Sequence, residues 1–215
     1  MPAKGEFYIE PSAHVLCAGM TGTGKSFLAE EYLKGYDNVI KLDTKQETEE
    51  RYKNGESPWR GLKEGEDFEV CYSLEECQES EFHKIIYCVP FEEQNEDSFN
   101  DFFNWVYQRQ NTIIWIDELM SVGSARRYPS GLHRLMIMGR SKNVGVWSCT
   151  QRPRGIPVIV PANCKYFFVF DLANKEDRQV LVNSTGFPEL YTMPTGHNFW
   201  FVKLGNQKAV LAVLK

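Results

Sequence analysis

The chain has 215 residues, 42% of them hydrophobic and 25% charged, enough to bury a sizeable core in one domain. With 29 acidic and 24 basic residues the net charge is −5, which excludes nucleic-acid binding over the whole surface but leaves room for a local basic stripe. Cys17, Cys71, Cys77, Cys88, Cys149 and Cys164 form no C-x-x-C pair, and no histidine is placed to complete a zinc set, so they read as core thiols of a reducing compartment.

Apolar runs and amphipathic stretches alternate along the chain, which predicts a three-layer α/β fold around a mainly parallel sheet. Val15-Leu16-Cys17-Ala18 reads as a buried strand. It runs into Gly19-Met20-Thr21-Gly22-Thr23-Gly24-Lys25-Ser26, which matches G-x-x-x-x-G-K-[ST], the Walker A phosphate-binding loop, and residues 26–33 read as the helix that follows. The glycines let successive backbone N–H groups face phosphate oxygens, and the helix N-terminus adds partial positive charge. Lys25 would reach the β- and γ-phosphates and the Ser26 hydroxyl would hold Mg²⁺.

Val39-Ile40-Lys41-Leu42-Asp43 is the next strand, followed by a polar stretch from about 44 to 65 that reads as an exposed insertion. Residues 68–72 read as a short strand and 84–89 as a buried one. Phe99, Phe102, Phe103 and Val106 recur at helical spacing, which predicts a helix over 98–110 capped by Ser98. Residues 112–116 form a further buried strand closed by Asp117-Glu118, the Walker B pattern. A carboxylate beyond the carboxyl end of such a strand can hold Mg²⁺, the role given to Asp117, while Glu118 can orient or deprotonate the attacking water. A loop with Gly123, Arg126 and Arg127 leads to a helix over 130–139. A strand over 144–149 delivers Gln151, whose amide can donate to the γ-phosphate and accept from the lytic water. A strand over 166–170 and a short helix over 175–182 follow, and a β-hairpin over 197–214 ends the reading. Of the arginines available to neutralise charge on the transferred phosphoryl group, Arg140 is favoured, acting from a neighbouring subunit.

The run Gly139-Arg140-Ser141-Lys142-Asn143-Val144-Gly145-Val146-Trp147-Ser148-Cys149-Thr150-Gln151-Arg152-Pro153, taken with both Walker motifs, resembles the FtsK–HerA superfamily of DNA-pumping P-loop ATPases. Lys41-Leu42-Asp43-Thr44-Lys45 is similar to its second strand, and the short chain is closest in pattern to the genome-packaging ATPases of membrane-containing double jelly-roll viruses. The resemblance spans about residues 13–183. It implies a P-loop fold, Mg²⁺-dependent ATP hydrolysis, a homo-oligomeric ring of six or five subunits and double-stranded DNA driven through a pore. It also implies docking at a capsid vertex, near a viral membrane. By position, Lys25 and Ser26 bind phosphate and Mg²⁺, Asp117 binds Mg²⁺, Glu118 is the catalytic carboxylate, Gln151 the sensor and Arg140 the finger in trans. Arg126 and Arg127 are expected to face the pore and grip the phosphate backbone. The chain shows neither an N-terminal β-barrel nor a winged helix, so it reads as a bare motor.

Two other readings share the phosphate loop. A small-molecule kinase would need an acceptor pocket, and Glu118 and Gln151 favour water as the acceptor instead. A filamentous-phage assembly or conjugation ATPase would normally carry a membrane span, and no long apolar run is present here. With no secretion signal or transit sequence, the expected location is the host cytoplasm and the virion.

Overall fold

The computed structural model describes residues 8–214. Nine strands form a single sheet: β1 (Val15–Ala18), β2 (Val39–Asp43), β3 (Glu69–Cys71), β4 (Lys84–Cys88), β5 (Ile113–Ile116), β6 (Gly145–Thr150), β7 (Tyr166–Val169), β8 (Asn198–Lys203) and β9 (Val210–Val213), ordered β3-β4-β2-β5-β6-β1-β7-β8-β9. β1 to β7 pair in parallel, and β8 and β9 add antiparallel strands at one edge as the expected hairpin.

The central strands are buried on both faces and mostly apolar, with Lys41 and Asp43 of β2 and Ser148 and Thr150 of β6 the buried polar exceptions. Leu16, Ile114, Ile116 and Val146 point into one core with Phe102, Phe103 and Leu132; Val15, Trp115, Trp147 and Phe168 point into the other with Leu28 and Leu33. This is the alternation of a pleated strand, with period two, between two helical layers. Helices α1 (Lys25–Leu33), α2 (Glu47–Lys53), α3 (Leu74–Glu79), α4 (Glu96–Arg109), α5 (Leu119–Val122), α6 (Ser130–Met138), α7 (Ile159–Asn163) and α8 (Lys175–Thr185) supply those layers and the connections.

Three local readings are corrected. The cap of α4 is Asn95, not Ser98: Asn95 accepts from the N–H groups of Asp97 and Ser98, with Glu96 and Asp97 in the first turn complementing the helix dipole. The 44–65 stretch is exposed along much of its length but is not irregular. It forms α2 and buries Trp59 completely, against Trp115 at 5.9 Å and Phe68 at 6.1 Å between ring centroids. α3 and α7, both short and without strong apolar periodicity, went unread. Among the described residues, no helix is long and apolar enough to cross a membrane.

Candidate active site

Strand order assembles the site. β5, β6 and β1 lie side by side, with Ile116 level with Ser148 and Ala18 level with Thr150. Residues that follow these strands must therefore emerge together at the carboxyl edge of a parallel sheet, where α/β folds bind ligands. The phosphate loop leaves β1, Asp117-Glu118 leave β5 and Gln151 leaves β6.

The phosphate loop is tied down at its start by Gly19 N–H to Thr150 O (3.1 Å) and Met20 N–H to Asp171 O (2.8 Å). A Cβ on Gly19 would lie 2.6 Å from the Phe170 Cβ, so only glycine lets the loop pass there. Gly24 has φ 105°, a left-handed conformation that turns the chain into α1. Lys25 folds back onto the loop, its Nζ donating to Met20 O at 2.8 Å. Burial lowers its pKa, and the nearby Asp117 and Glu118 carboxylates work against that shift.

Ser26 and Asp117, 91 positions apart, meet: the Ser26 hydroxyl donates to Asp117 Oδ1 at 2.8 Å. The other oxygen, Oδ2, is 2.6 Å from the Lys45 ammonium. Asp117 is 1% exposed. Burial alone would raise its pKa, but the charges of Lys41 and Lys45 and the hydrogen bond from Ser26 hold it below the usual carboxylate range. A hydroxyl and an ionised carboxylate are the hard oxygen donors that Mg²⁺ takes, and a cationic group already sits on that carboxylate. The residues present fit the ion.

Glu118 and Gln151 meet as well. Gln151 Nε2 donates to Glu118 Oε2 at 3.3 Å, and Thr21 Oγ1 of the phosphate loop donates to Gln151 Oε1 at 2.8 Å. Gln151 thus links the loop to the carboxylate. Burial raises the Glu118 pKa, opposed chiefly by Lys45.

The arginines fall elsewhere. Arg140 lies exposed in a 3₁₀ turn, Gly139–Lys142, ahead of β6. β6 runs six residues from Gly145 to Thr150, about 17 Å at strand rise. Arg140 is therefore at the opposite edge from Gln151 and does not serve the site of its own chain. Arg126 and Arg127 lie on the loop after α5, on the carboxyl side of the sheet; both are exposed, and Arg127 donates to Glu96 at 2.8 Å. Arg152 pairs with the buried Asp177 at 3.0 Å, and the Arg154 N–H donates to the same carboxylate, so the T-Q-R-P run is pinned to the first turn of α8.

The sequence marks Lys45 only within the Lys41–Lys45 run, with no site role, and the outer wall of the site not at all. β2 pairs with β5, Leu42 level with Ile116, so the residues just after β2 fall beside Asp117; the signal lies in a strand order that one sequence does not display. A cavity of about 480 Å³ opens over the loop, and Gly22, Gly24, Lys25 and Ser26 share its lining with Phe27, Arg60, His197 and Leu214.

The model of the ATPase family associated with various cellular activities (AAA) matches residues 15–163. The fold is similar to that of the genome-packaging NTPase B204 of Sulfolobus turreted icosahedral virus 2, solved with ATPγS (TM-score 0.75, 15% identity, 94% of this chain and 98% of that one). It is likewise similar to B204, the DNA-packaging ATPase of Sulfolobus turreted icosahedral virus (TM-score 0.72, 16% identity, 94% and 98%). ATPases 2 and 3 of EssC from Geobacillus thermodenitrificans match at TM-score 0.60 and 14% identity, over 93% of this chain and 39% of that one. At such identities the likeness is one of fold. No curated protein matches the sequence.

Proposed function

We propose, for a chain that belongs to the ATPase family associated with various cellular activities (AAA), that hydrolysis of ATP drives double-stranded DNA into a viral capsid. The observation that carries the hydrolytic part is the continuous line Thr21–Gln151–Glu118 beside Ser26–Asp117, which brings the ends of β5 and β6 onto the phosphate loop that leaves β1. The packaging part is supported by the T-Q-R-P run and by a fold shared, over nearly its whole length, with a protein described as a DNA-packaging ATPase.

Lys25 leaves the Met20 carbonyl for the β- and γ-phosphate oxygens, and the loop amides hold the rest of the triphosphate. Ser26 and Asp117 would hold Mg²⁺, which when bound would supply positive charge to the triphosphate. Glu118, on the side of Gln151 away from Thr21, orients a water and takes its proton. Gln151 spans the two and reports whether the γ-phosphate is present. Arg140, remote from its own site, enters that of the next subunit in a homo-oligomeric ring. Arg126 and Arg127 contact the DNA backbone without reading sequence.

The test is the rate of phosphate release with and without duplex DNA. Wild type is expected to be stimulated, more strongly at low salt. With Arg126 and Arg127 both replaced by alanine the stimulation falls while hydrolysis without DNA persists. Phosphate transferred to a metabolite instead of water would establish the kinase reading, and hydrolysis indifferent to duplex DNA would refute the motor.

A further inference from the structure

The insertion between β2 and β3 is held against α1 more firmly than an exposed connection requires. Glu30 of α1 is completely buried. Its carboxylate accepts both Arg51 nitrogens, at 2.6 and 3.2 Å, and the backbone N–H of Arg60 at 2.7 Å. Trp59, the residue before Arg60, is buried to 0% exposure. These contacts fix the backbone of one residue, Arg60, whose side chain is 54% exposed and whose Nε lies 4.0 Å from the Glu30 carboxylate. Its guanidinium lies over the Phe27 ring, 4.6 Å from the centroid. Phe27 directly follows Ser26, and both Phe27 and Arg60 line the cavity that opens on the phosphate loop.

On another part of that lining stand His197 and Leu214, brought together by the Leu214 N–H donating to His197 O at 3.1 Å. Leu214 reaches the loop itself: a Cβ on Gly24 would lie 2.5 Å from its Cδ2. The cavity volume of about 480 Å³ falls within the range of small-molecule sites. A triphosphate on the loop amides leaves a base and sugar to fill the remainder.

We propose that Arg60, stacked on Phe27, is the platform for the nucleotide base, which lies between the guanidinium plane and the His197–Leu214 wall. This rests on the loop being a nucleotide site, as argued above, and goes beyond it by assigning the part that holds the base. The chemistry is stacking, since a guanidinium is planar and stacks on aromatic faces. Beyond the phosphate loop, the lining's other polar side chains are Glu47 and Arg51, which are bonded to each other and to Lys41 and Glu30, and the imidazole of His197 in the facing wall. Stacking favours a flat purine by area, so the Arg60 platform serves ATP and GTP alike.

The test measures equilibrium binding of ATP, GTP, CTP and inorganic triphosphate, each with Mg²⁺, to the full chain and to its Arg60→Ala and Arg60→Lys variants. Arg60→Ala is expected to weaken ATP and GTP about tenfold and to leave inorganic triphosphate unchanged. Arg60→Lys retains the charge without the plane and should follow alanine. CTP should bind wild type more weakly than either purine. Equal losses for ATP and inorganic triphosphate would make Arg60 a phosphate contact and overturn the platform. So would unchanged ATP binding in Arg60→Ala, or rescue by lysine. A wild-type chain that binds none of the four would instead strike at the nucleotide site, which separates the two failures.

Discussion

Lys45 offers a quantitative test of the site. Its ammonium is 2.6 Å from Asp117 Oδ2, while Ser26 occupies Oδ1. A cation held by Ser26 and Asp117 competes with Lys45 for that carboxylate, so Lys45 stabilises the chain free of nucleotide and must yield on binding. Removing one partner of a fully buried pair costs about 3–5 kcal/mol. Here the Asp117 side chain is 0% exposed but Lys45 is 40% exposed, and solvent screening brings the figure to about 1–2 kcal/mol. Lys45→Met should therefore lower the Tm of the nucleotide-free chain by about 4 °C. With saturating Mg²⁺ and ATP the deficit should vanish, because the bound state no longer uses the pair. The thermodynamic cycle then requires the variant to bind Mg²⁺–ATP about five- to thirtyfold more tightly than wild type. Thermal melts and titration calorimetry measure the two legs independently. A Tm deficit that persists with Mg²⁺ and ATP, or weaker binding by the variant, would show that Lys45 serves the bound state and would refute the competition.

Gln151→Ala removes the link between Thr21 and Glu118 and should lower kcat about a hundredfold, through misplacement of the carboxylate, with little change in KM; a loss confined to KM would contradict the sensor role. Arg140→Ala subunits should be inactive alone yet regain hydrolysis when mixed with Glu118→Gln subunits, since a trans arrangement makes some composite sites complete, whereas no recovery at any ratio counts against the finger. His14 is 1% exposed; burial, assisted by the charge of Arg140, holds its pKa down to about 4 while its Nδ1 accepts from the Val146 N–H. The unfolded chain protonates near the ordinary value of about 6.5, so stability is intact above that pH and falls as pH drops toward 4, by up to about 3 kcal/mol. Denaturant melts of wild type and His14→Gln across that window should show the steeper slope in wild type, and parallel slopes would remove the assignment.

The residues of the two Walker motifs were legible because each is a local device. A glycine-rich loop between strand and helix, and an acid after a doubly buried strand, carry their geometry in consecutive residues. Gln151 was legible one step further on, because a residue leaving the next strand of a parallel sheet lands on the same edge. Lys45 and Arg60 were not legible from spacing. Lys45 reaches Asp117 only because β2 pairs with β5 across the 69 residues between Asp43 and Ile113. Arg60 reaches the loop only because a buried carboxylate on α1 captures its backbone. The polar composition of 44–65 predicted exposure correctly for most of its side chains, but composition does not register one tryptophan that anchors the whole stretch.

That anchoring joins the 44–65 stretch to the chemistry. Lys45 stands at one end of it and Arg60 near the other, with α2 between them bonded through Glu47 to Lys41 and through Arg51 to Glu30. Glu30 belongs to α1, the helix that begins at Lys25. A change in the partners of Asp117 and a change at the outer wall therefore act on the two ends of the segment that carries α2. Nucleotide that draws Lys45 away from Asp117 acts on the residues ahead of α2, whose first turn the Asp43 carboxylate holds, while a base against Arg60 acts on the residues beyond it. Combining Lys45→Met with Arg60→Ala should then give a binding change that differs from the sum of the single changes by more than about 0.5 kcal/mol, the scatter of independent sites. Strict additivity would mean that α2 transmits nothing between them.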